Sequence, residues 1–255
     1  MNMPKNEFKA RLLNGELQIG LWSTLGSNIV AEIIGASGFD WILLDTEHTP
    51  NELPGLISQM QGMQTGSATA IIRPAWNDAV LIKRILDTTG VQTLLVPFVQ
   101  NAEEAAAAVA STQYPPKGIR GVTTGGRAAR YGRVKNYLAE AGDQICVLVQ
   151  IETSDALSKI GEIAAVPGVD GVFIGPSDLS ASMGHIGNAA HPEVQAAIKS
   201  GIDTLNEMGK PAGILAFNPD DANRYIDWGF SFVAVGSDTG VLGKATAGLA
   251  ASYKK

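Results

Sequence analysis

Short and almost continuously apolar runs recur along the chain, and each is followed by a loop and then by a longer segment with helical spacing. Runs of Val, Ile and Leu that do not alternate with polar residues are typical of parallel strands buried on both faces. We therefore predict eight strands: Ile19–Ser23, Trp41–Asp45, Ala70–Arg73, Thr93–Phe98, Cys146–Ile151, Val169–Ile174, Ala212–Ala216 and Phe232–Gly236.

The segments between these runs carry apolar residues at the spacing of one helix face. The clearest helix begins at His191-Pro192 and ends before Gly209, because proline suits the first helical turn and glycine suits a left-handed C-terminal cap. A second helix is predicted from about Ala79 to Thr88.

Eight strand–helix units in one chain predict an α/β fold, a single (β/α)8 TIM barrel that forms one domain over residues 1–255. The main alternative is a doubly wound open sheet. That fold usually carries a glycine-rich phosphate turn, G-x-G-x-x-G, after its first strand, whereas residues 23–27 read STLGS. The barrel is therefore favoured.

Composition excludes several classes of function. The 255 residues contain 19 Lys and Arg against 25 Asp and Glu, so the formal net charge is −6, which disfavours binding to duplex nucleic acid. The single cysteine, Cys146, cannot form an intrachain disulfide and fits a reducing compartment. We find neither a signal-peptide core near the N-terminus nor an apolar stretch of about 18 residues, and we expect a cytoplasmic protein without membrane contact.

Polar residues gather where the predicted strands end, which is where the catalytic groups of a barrel lie. Five acids, one histidine and one arginine are found there, together with a tryptophan, a glutamine and a serine. The residues are Trp22, Asp45, Glu47, His48, Arg73, Gln150, Glu152, Asp178, Ser237 and Asp238.

Two of these acids predict a metal site. Glu152 and Asp178 follow neighbouring strands, so a barrel brings their carboxylates close enough to share one hard cation. Oxygen ligands of this kind suit Mg²⁺ or Mn²⁺. The alternative is that Glu152 caps a helix and Asp178 pairs with an arginine.

His48 and Arg73 are the candidates for proton transfer and for anion binding. His48 lies just beyond a buried strand, where an imidazole can act as a general base near neutral pH. A guanidinium at the end of the third strand needs an anionic partner, either a substrate carboxylate or enolate oxygen, or a salt bridge to Asp45 or Glu47. We interpret His191 as a surface residue. His185 follows Asp178 in a glycine-bounded loop and could reach substrate, although a structural role is favoured.

Lysines are missing from the predicted strand ends. An imine-forming aldolase needs a neutral lysine in the barrel mouth, so Schiff-base chemistry is disfavoured. The long connection from Tyr114 to Arg133 is rich in glycine and arginine, and we expect it to contribute to substrate selectivity or to an interface. Arg127 and Arg130 are its candidates for meeting a distal carboxylate.

The chain resembles the HpcH/HpaI family of metal-dependent (class II) pyruvate aldolases. The matching segments cover essentially the whole chain in order: QIGLWS, GFDWILLDTEH, IIRPAWND, TLLVPFVQ, YPPKGIRGV, VLVQIET, GVDGVFIGPSDLSASMG and FVAVGSD. The fold implied by this resemblance is a TIM barrel with an exchanged C-terminal helix, assembled as a homo-oligomer of hexameric type.

The resemblance also implies roles for individual residues. Glu152 and Asp178 would bind a divalent metal (Mg²⁺ or Mn²⁺, with Co²⁺ possible), His48 would be the base, and Arg73 would stabilise the enolate. The remaining roles fall into three groups. Asp87 would contact the histidine across a subunit boundary; Gln150, Ser177, Trp22 and Leu215 would bind substrate; Asp45 and Glu47 would hydrogen-bond to water on the metal.

The implied reaction is reversible cleavage of 4-hydroxy-2-oxo acids, of the 4-hydroxy-2-oxoheptanedioate or 2-dehydro-3-deoxyglucarate type, to pyruvate and an aldehyde. Two alternatives stay open. One is a metal-dependent 2-oxo acid decarboxylase or lyase of the same superfamily, and the other is a non-catalytic barrel that binds an organic acid. The immediate base is also open, between His48 and a metal-bound water.

Overall fold

The computed structural model describes residues 1–254, and these residues form a closed barrel of eight parallel strands in chain order. The strands are β1 Gln18–Ser23, β2 Trp41–Asp45, β3 Thr69–Arg73, β4 Thr93–Val96, β5 Cys146–Ile151, β6 Gly171–Ile174, β7 Ala212–Leu215 and β8 Phe232–Ser237. The predicted TIM barrel is confirmed. Within the described residues no helix is both long and apolar enough to cross a bilayer.

Helices surround the barrel and connect its strands. They are α1 Glu7–Leu13, α2 Asn28–Gly35, α3 Leu53–Gly62, α4 Ala79–Thr89, α5 Ala102–Thr112, α6 Tyr137–Gln144, α7 Ser154–Ser158, α8 Ile160–Ala164, α9 Pro176–Ser182, α10 Pro192–Glu207, α11 Pro219–Asp227 and α12 Asp238–Tyr253, with a 3₁₀ turn at Met63–Thr65. The predicted helices at 79–88 and after His191 correspond to α4 and α10.

The strand predictions differ from the structure mainly at strand ends. β2 and β5 have the predicted bounds, whereas β4 ends two residues before the predicted Phe98. Pro97 has no N–H to donate to a neighbouring strand, and Phe98 has a positive φ of 54°. The apolar run therefore continues past the end of the regular strand.

Aromatic side chains fill the barrel interior. Trp22, Trp41, Phe173 and Phe232 pack there in one buried cluster. Phe8 of α1 joins them from the amino end, with its ring centroid 6.3 Å from that of Trp41 and 6.0 Å from that of Phe232.

Two glycines make room for these rings. A Cβ atom on Gly20 would lie 2.2 Å from the Trp41 ring, and one on Gly213 would lie 2.1 Å from the Phe232 ring. The packed aromatic layer and α1 together close the barrel interior at its amino end, so the interior opens at the carboxyl ends of the strands.

Helix α12 is the exception to the packed outer layer. Asp238 is its only buried residue, and Val241, Leu242 and Leu249 are exposed. Its strand contacts are to β1 and β8, near its own start. Within residues 1–254 no apolar side chain of α12 is buried.

The long connection after α5 lies at the opposite end from the strand carboxyl termini. Arg127 and Arg130 line a cavity together with Gln92 and Ile145, which directly precede β4 and β5. The expectation that these arginines meet substrate is therefore not met within the chain, because a connection from a helix to the next strand returns to the amino end of the barrel.

Candidate active site

A pocket of about 250 Å³ opens at the carboxyl ends of the strands. Its lining residues lie within or directly after seven of the eight strands. These residues are Trp22, Thr24, Asp45, His48, Arg73, Gln150, Phe173, Gly175, Pro176, Ser177, Asp178, Leu215, Phe217 and Ser237. The pocket thus brings together most of the site residues predicted from the sequence.

Arg73 is buried on the floor of this pocket and is paired with two acids. Its Nε and Nη2 donate to the carboxylate of Asp45 at 2.8 and 2.7 Å, a bidentate pair. Its Nη1 lies 2.8 Å from Oε2 of Glu47. Although burial opposes the charge, the hydrogen bonds and charge of Asp45 raise the pKa of Arg73 above its ordinary value.

The salt bridge that the sequence left open as an alternative is therefore formed. Register places it there, because Asp45 and Arg73 are Cα partners in the pairing of β2 with β3. Both side chains point to the same end of the barrel. Asp45 and Glu47 both contact Arg73 in the structure, and their hydrogen bonding to water on the metal stays a prediction.

Trp22 covers one side of the guanidinium. The Arg73 Cζ lies 5.2 Å from the Trp22 ring centroid, within the range of a cation–π contact. Phe173 lies against the other edge of Trp22, with ring centroids 5.5 Å apart. The guanidinium is thus fixed by two carboxylates and an aromatic ring, and it still lines the pocket.

Glu152 is a buried carboxylate held by two donors. The Phe98 backbone N–H donates to its Oε1 at 2.9 Å, and Gln150 Nε2 donates to its Oε2 at 2.5 Å. Burial, with added repulsion from Glu47 and Asp178, raises the pKa of Glu152 to about 7, against the effect of the Gln150 hydrogen bond. Oε1 of Gln150 is buried and has no hydrogen-bond partner.

Asp178 reaches the same pocket from the first turn of α9. Pro176 stands at the start of this helix, so the chain turns directly from β6 into it. Gly175 allows the turn to pass close to Glu152, because a Cβ there would lie 2.9 Å from Glu152 Oε2. Ser177 lies in the pocket wall beside Asp178.

These residues fit a divalent cation. Four carboxylates gather in and beside the pocket: Asp45 and Glu47 contact the guanidinium of Arg73, and Glu152 lies close enough to Glu47 and Asp178 to be repelled by them. Two of these acids contact Arg73, whereas no basic side chain within residues 1–254 forms an ion pair with Glu152 or Asp178. A hard cation with oxygen ligands would stabilise the ionised forms of these two acids, and the unpartnered oxygen of Gln150 could accept from water around such an ion.

His48 lies at the rim. Its side chain is 66% exposed, and its Nε2 is 3.7 Å from Glu47 Oε2. Burial raises the pKa of Glu47 above its ordinary value, although Arg73 and His48 act against this rise. The imidazole lines the pocket without a tight intrachain hydrogen bond and is free to approach a substrate.

Asp87 lies outside the pocket. It is near the end of α4, where its Oδ1 accepts from Nη2 and Nε of Arg120 at 2.6 and 3.2 Å. Arg120 is itself buried, donates to the Tyr137 hydroxyl at 3.2 Å and lies over the Tyr114 ring. Contact between Asp87 and His48 across a subunit boundary stays a prediction.

The structure adds residues that the sequence interpretation did not assign. Phe98 positions Glu152 through its backbone, and its ring stacks on that of Trp76, with centroids 5.6 Å apart. Phe217 and Gly175 complete the pocket lining. Phe98 and Phe217 each follow a strand, so the search for residues at strand ends could have found both. The aromatic side chain of Phe98 gives no sign that its backbone N–H holds a carboxylate.

Asp238 has a structural role. It is buried at the start of α12, and its carboxylate accepts from the backbone N–H groups of Thr24 and Leu25 and from the hydroxyls of Ser23 and Thr24. The carboxylate therefore joins the end of β8 to the loop after β1, which closes the barrel at its mouth.

Comparison with known proteins relates this arrangement to one family. The sequence profile of HpcH/HpaI aldolase/citrate lyase matches residues 18–245. The 4-hydroxy-2-oxo-heptane-1,7-dioate aldolase of Shigella sonnei is 52% identical over 250 residues, which is 98% of this chain and 95% of that protein. The pyruvate aldolase of Rhizobium etli is 52% identical over 253 residues, covering 99% of both chains.

Solved structures give the same relation. The crystal structure of an HpcH/HpaI aldolase/citrate lyase family protein from Burkholderia cenocepacia superposes with a TM-score of 0.95 at 34% identity, covering 98% of this chain and 100% of that one. An HpcH/HpaI aldolase from Desulfitobacterium hafniense gives a TM-score of 0.89 at 26% identity, with coverage of 97% and 96%.

Proposed function

Because the chain belongs to the HpcH/HpaI aldolase/citrate lyase family, we propose that it reversibly cleaves 4-hydroxy-2-oxo acids to pyruvate and an aldehyde at the pocket of Arg73, Glu152 and Asp178. The enzyme is an aldolase, a carbon–carbon lyase. The observation that carries the site assignment is the buried pair of Glu152 with Gln150 beside Asp178, opposite a buried guanidinium.

Glu152 and Asp178 would hold a divalent ion, and aldolases of this family are generally dependent on one. We propose Mg²⁺ or Mn²⁺, with Co²⁺ as a substitute, since the donors are carboxylate oxygens. When bound, the ion supplies Lewis-acid polarisation of the 2-oxo group and neutralises charge on the pyruvate half.

The chain's own residues do the rest. The buried Gln150 amide and the backbone of Ser177, both in the pocket wall, would hold the pyruvate half. Breaking the C3–C4 bond leaves negative charge on the oxygen of the pyruvate enolate, and Arg73 would stabilise that charge. Because Asp45 and Trp22 already fix its guanidinium, little reorganisation is needed during the reaction.

His48 would take the proton from the 4-hydroxyl at the rim. Its exposure and its lack of a tight intrachain partner support this role, and the nearby carboxylate of Glu47 would stabilise the imidazolium that forms. Trp22, Leu215 and Phe217 would surround the aldehyde half, so these residues would set selectivity. None of the pocket-lining residues is a lysine, which agrees with an enolate route rather than an imine route.

A homo-oligomer of hexameric type that exchanges α12 would complete the enzyme. The exposed Val241, Leu242 and Leu249 on α12 support this proposal, since a second copy would bury them. In such an assembly Asp87 of one copy would contact His48 of another. Light scattering of the full chain and of a Leu242→Glu, Leu249→Glu variant measures the subunit number and its dependence on α12.

The substrate of the Shigella relative, 4-hydroxy-2-oxo-heptane-1,7-dioate, is the first compound to test. Purified protein freed of metal with EDTA is assayed for pyruvate with and without Mg²⁺ or Mn²⁺, and Glu152→Gln serves as the matched inactive control. We expect metal-dependent release of pyruvate and an aldehyde in equal amounts. Release of CO₂ from oxaloacetate without any aldolase activity would refute the proposal.

A further inference from the structure

Two histidines on the loop that joins α9 to α10 and a glutamate in the first turn of α10 form a cluster. Ligand atoms of His185, His191 and Glu193 all lie within 4.8 Å of one another. Within residues 1–254 this is the only group of three such residues at metal-ligand spacing. Neither the proposed aldol chemistry nor the metal pair at the barrel mouth uses it.

The contacts within the cluster are close and ordered. His185 Nε2 is 2.8 Å from Oε2 of Glu193. The rings of His185 and His191 stack with their centroids 3.6 Å apart and their planes 15° apart. The two imidazole rings and the carboxylate therefore present their ligand atoms to one small volume.

From this geometry we propose that His185, His191 and Glu193 bind a zinc ion, separate from the divalent ion of the barrel mouth. Two imidazole nitrogens and one carboxylate oxygen are a frequent zinc ligand set that leaves further positions to water. Imidazole nitrogen favours Zn²⁺ over Mg²⁺, whereas the carboxylates of Glu152 and Asp178 suit Mg²⁺. The two sites are therefore chemically distinct.

Zinc binding replaces two contacts that the cluster makes without metal. The ion takes the place of the hydrogen bond between His185 and Glu193. His191 Nδ1 accepts from the Glu193 backbone N–H at 3.3 Å as the cap of α10, a long hydrogen bond. When His191 binds zinc through Nε2, its Nδ1 carries the proton and no longer accepts from the Glu193 N–H. The loss of this cap costs less because Pro192, at the first helical position, also favours the start of α10.

The position of the loop gives the site a structural consequence. Ala189 and Ala190, between the two histidines, line a cavity whose other walls include Ser177, Leu215 and Phe217 of the active-site pocket. A zinc ion that joins His185 to the start of α10 fixes this loop and the wall that it shares with the substrate pocket.

The test measures zinc bound to the whole protein by mass spectrometry after equilibrium dialysis, with excess Mg²⁺ to occupy the barrel mouth. The variants are His185→Gln, His191→Asn and Glu193→Gln. Asn is a good helix cap, so His191→Asn removes the ligand and keeps the cap of α10. A variant of the mouth, Glu152→Gln with Asp178→Asn, is measured in parallel.

We expect the wild type and the mouth variant to retain one equivalent of zinc, and each cluster variant to bind it roughly 10- to 100-fold more weakly. Equal zinc binding by the wild type and by the three cluster variants would overturn the proposal. So would loss of the zinc in the mouth variant alone, which would place the metal at Glu152 and Asp178. Circular dichroism of each variant checks that it is folded.

Discussion

Replacement of Arg73 with Gln tests two roles of one side chain. The change is expected to lower the stability of the fold, because it leaves Asp45 without its bidentate partner. Both side chains are buried, with only 8% of Arg73 and 2% of Asp45 exposed. Breaking a buried pair in this way costs about 3 to 5 kcal/mol, which for a chain of this size lowers Tm by roughly 10 °C. In catalysis, loss of one donor to a developing oxyanion lowers kcat roughly 10²- to 10³-fold.

The two effects are separated with a second change, Asp45→Asn. The double variant Arg73→Gln, Asp45→Asn has two neutral amides in place of the Arg73–Asp45 pair, so of the two acids that contact Arg73 only Glu47 loses its partner. We expect its Tm to recover part of the loss, and its kcat to stay as low as that of Arg73→Gln. The single variant Asp45→Asn keeps the guanidinium and is expected to retain more activity than either.

The measurements are thermal unfolding and the initial rate of pyruvate release at saturating metal. Recovery of kcat together with Tm in the double variant would show that Arg73 acts only through folding, and the enolate role would then be abandoned. An Arg73→Lys variant adds a check, because lysine keeps the charge but cannot make the bidentate contact.

Three further predictions test the positioning of the site and the packing of the barrel. Gly175→Ala is expected to weaken Mn²⁺ binding in titrations roughly 10-fold or more, because the new Cβ would lie 2.9 Å from Glu152 Oε2. The control is Gly125→Ala, which has open space around its Cβ. Equal Mn²⁺ affinities of the two variants would contradict the prediction. Phe8→Ala is expected to lower the free energy of unfolding by about 3 to 5 kcal/mol in urea titrations, with an effect under 1 kcal/mol arguing against a packed amino end. Complete burial raises the pKa of the Cys146 thiol well above its ordinary value, so a thiol reagent is expected to react only in denaturant; rapid reaction of the native protein at pH 8 would contradict this.

The barrel and most of its mouth were predictable from the sequence because the signals are local. Strands such as Trp41–Asp45 are buried on both faces, so they form continuous apolar runs, and their polar ends can be read directly after them. The pocket accordingly contains His48, Arg73, Gln150 and Asp178.

What the sequence did not predict depends on packing between distant segments. The sequence limited the partner of Arg73 to a substrate anion or to Asp45 or Glu47. It could not decide between them, because that decision requires the register of β2 against β3. The support of Glu152 by the Phe98 backbone depends on a positive φ, which an aromatic residue rarely adopts. Arg127 and Arg130 do not reach the pocket of their own chain, which the sequence did not predict because a glycine- and arginine-rich composition does not indicate which end of the barrel a connection faces.

Phe8 and Leu12 of α1 leave the substrate pocket with a single entrance. Under the proposed assignment the pyruvate half lies innermost, beside the buried Glu152, and the aldehyde half lies outward, near the exposed Phe217. The two fragments therefore cannot exchange independently. The aldehyde departs first in cleavage and arrives last in synthesis, so steady-state kinetics follow a compulsory order, with pyruvate a competitive inhibitor against the intact substrate.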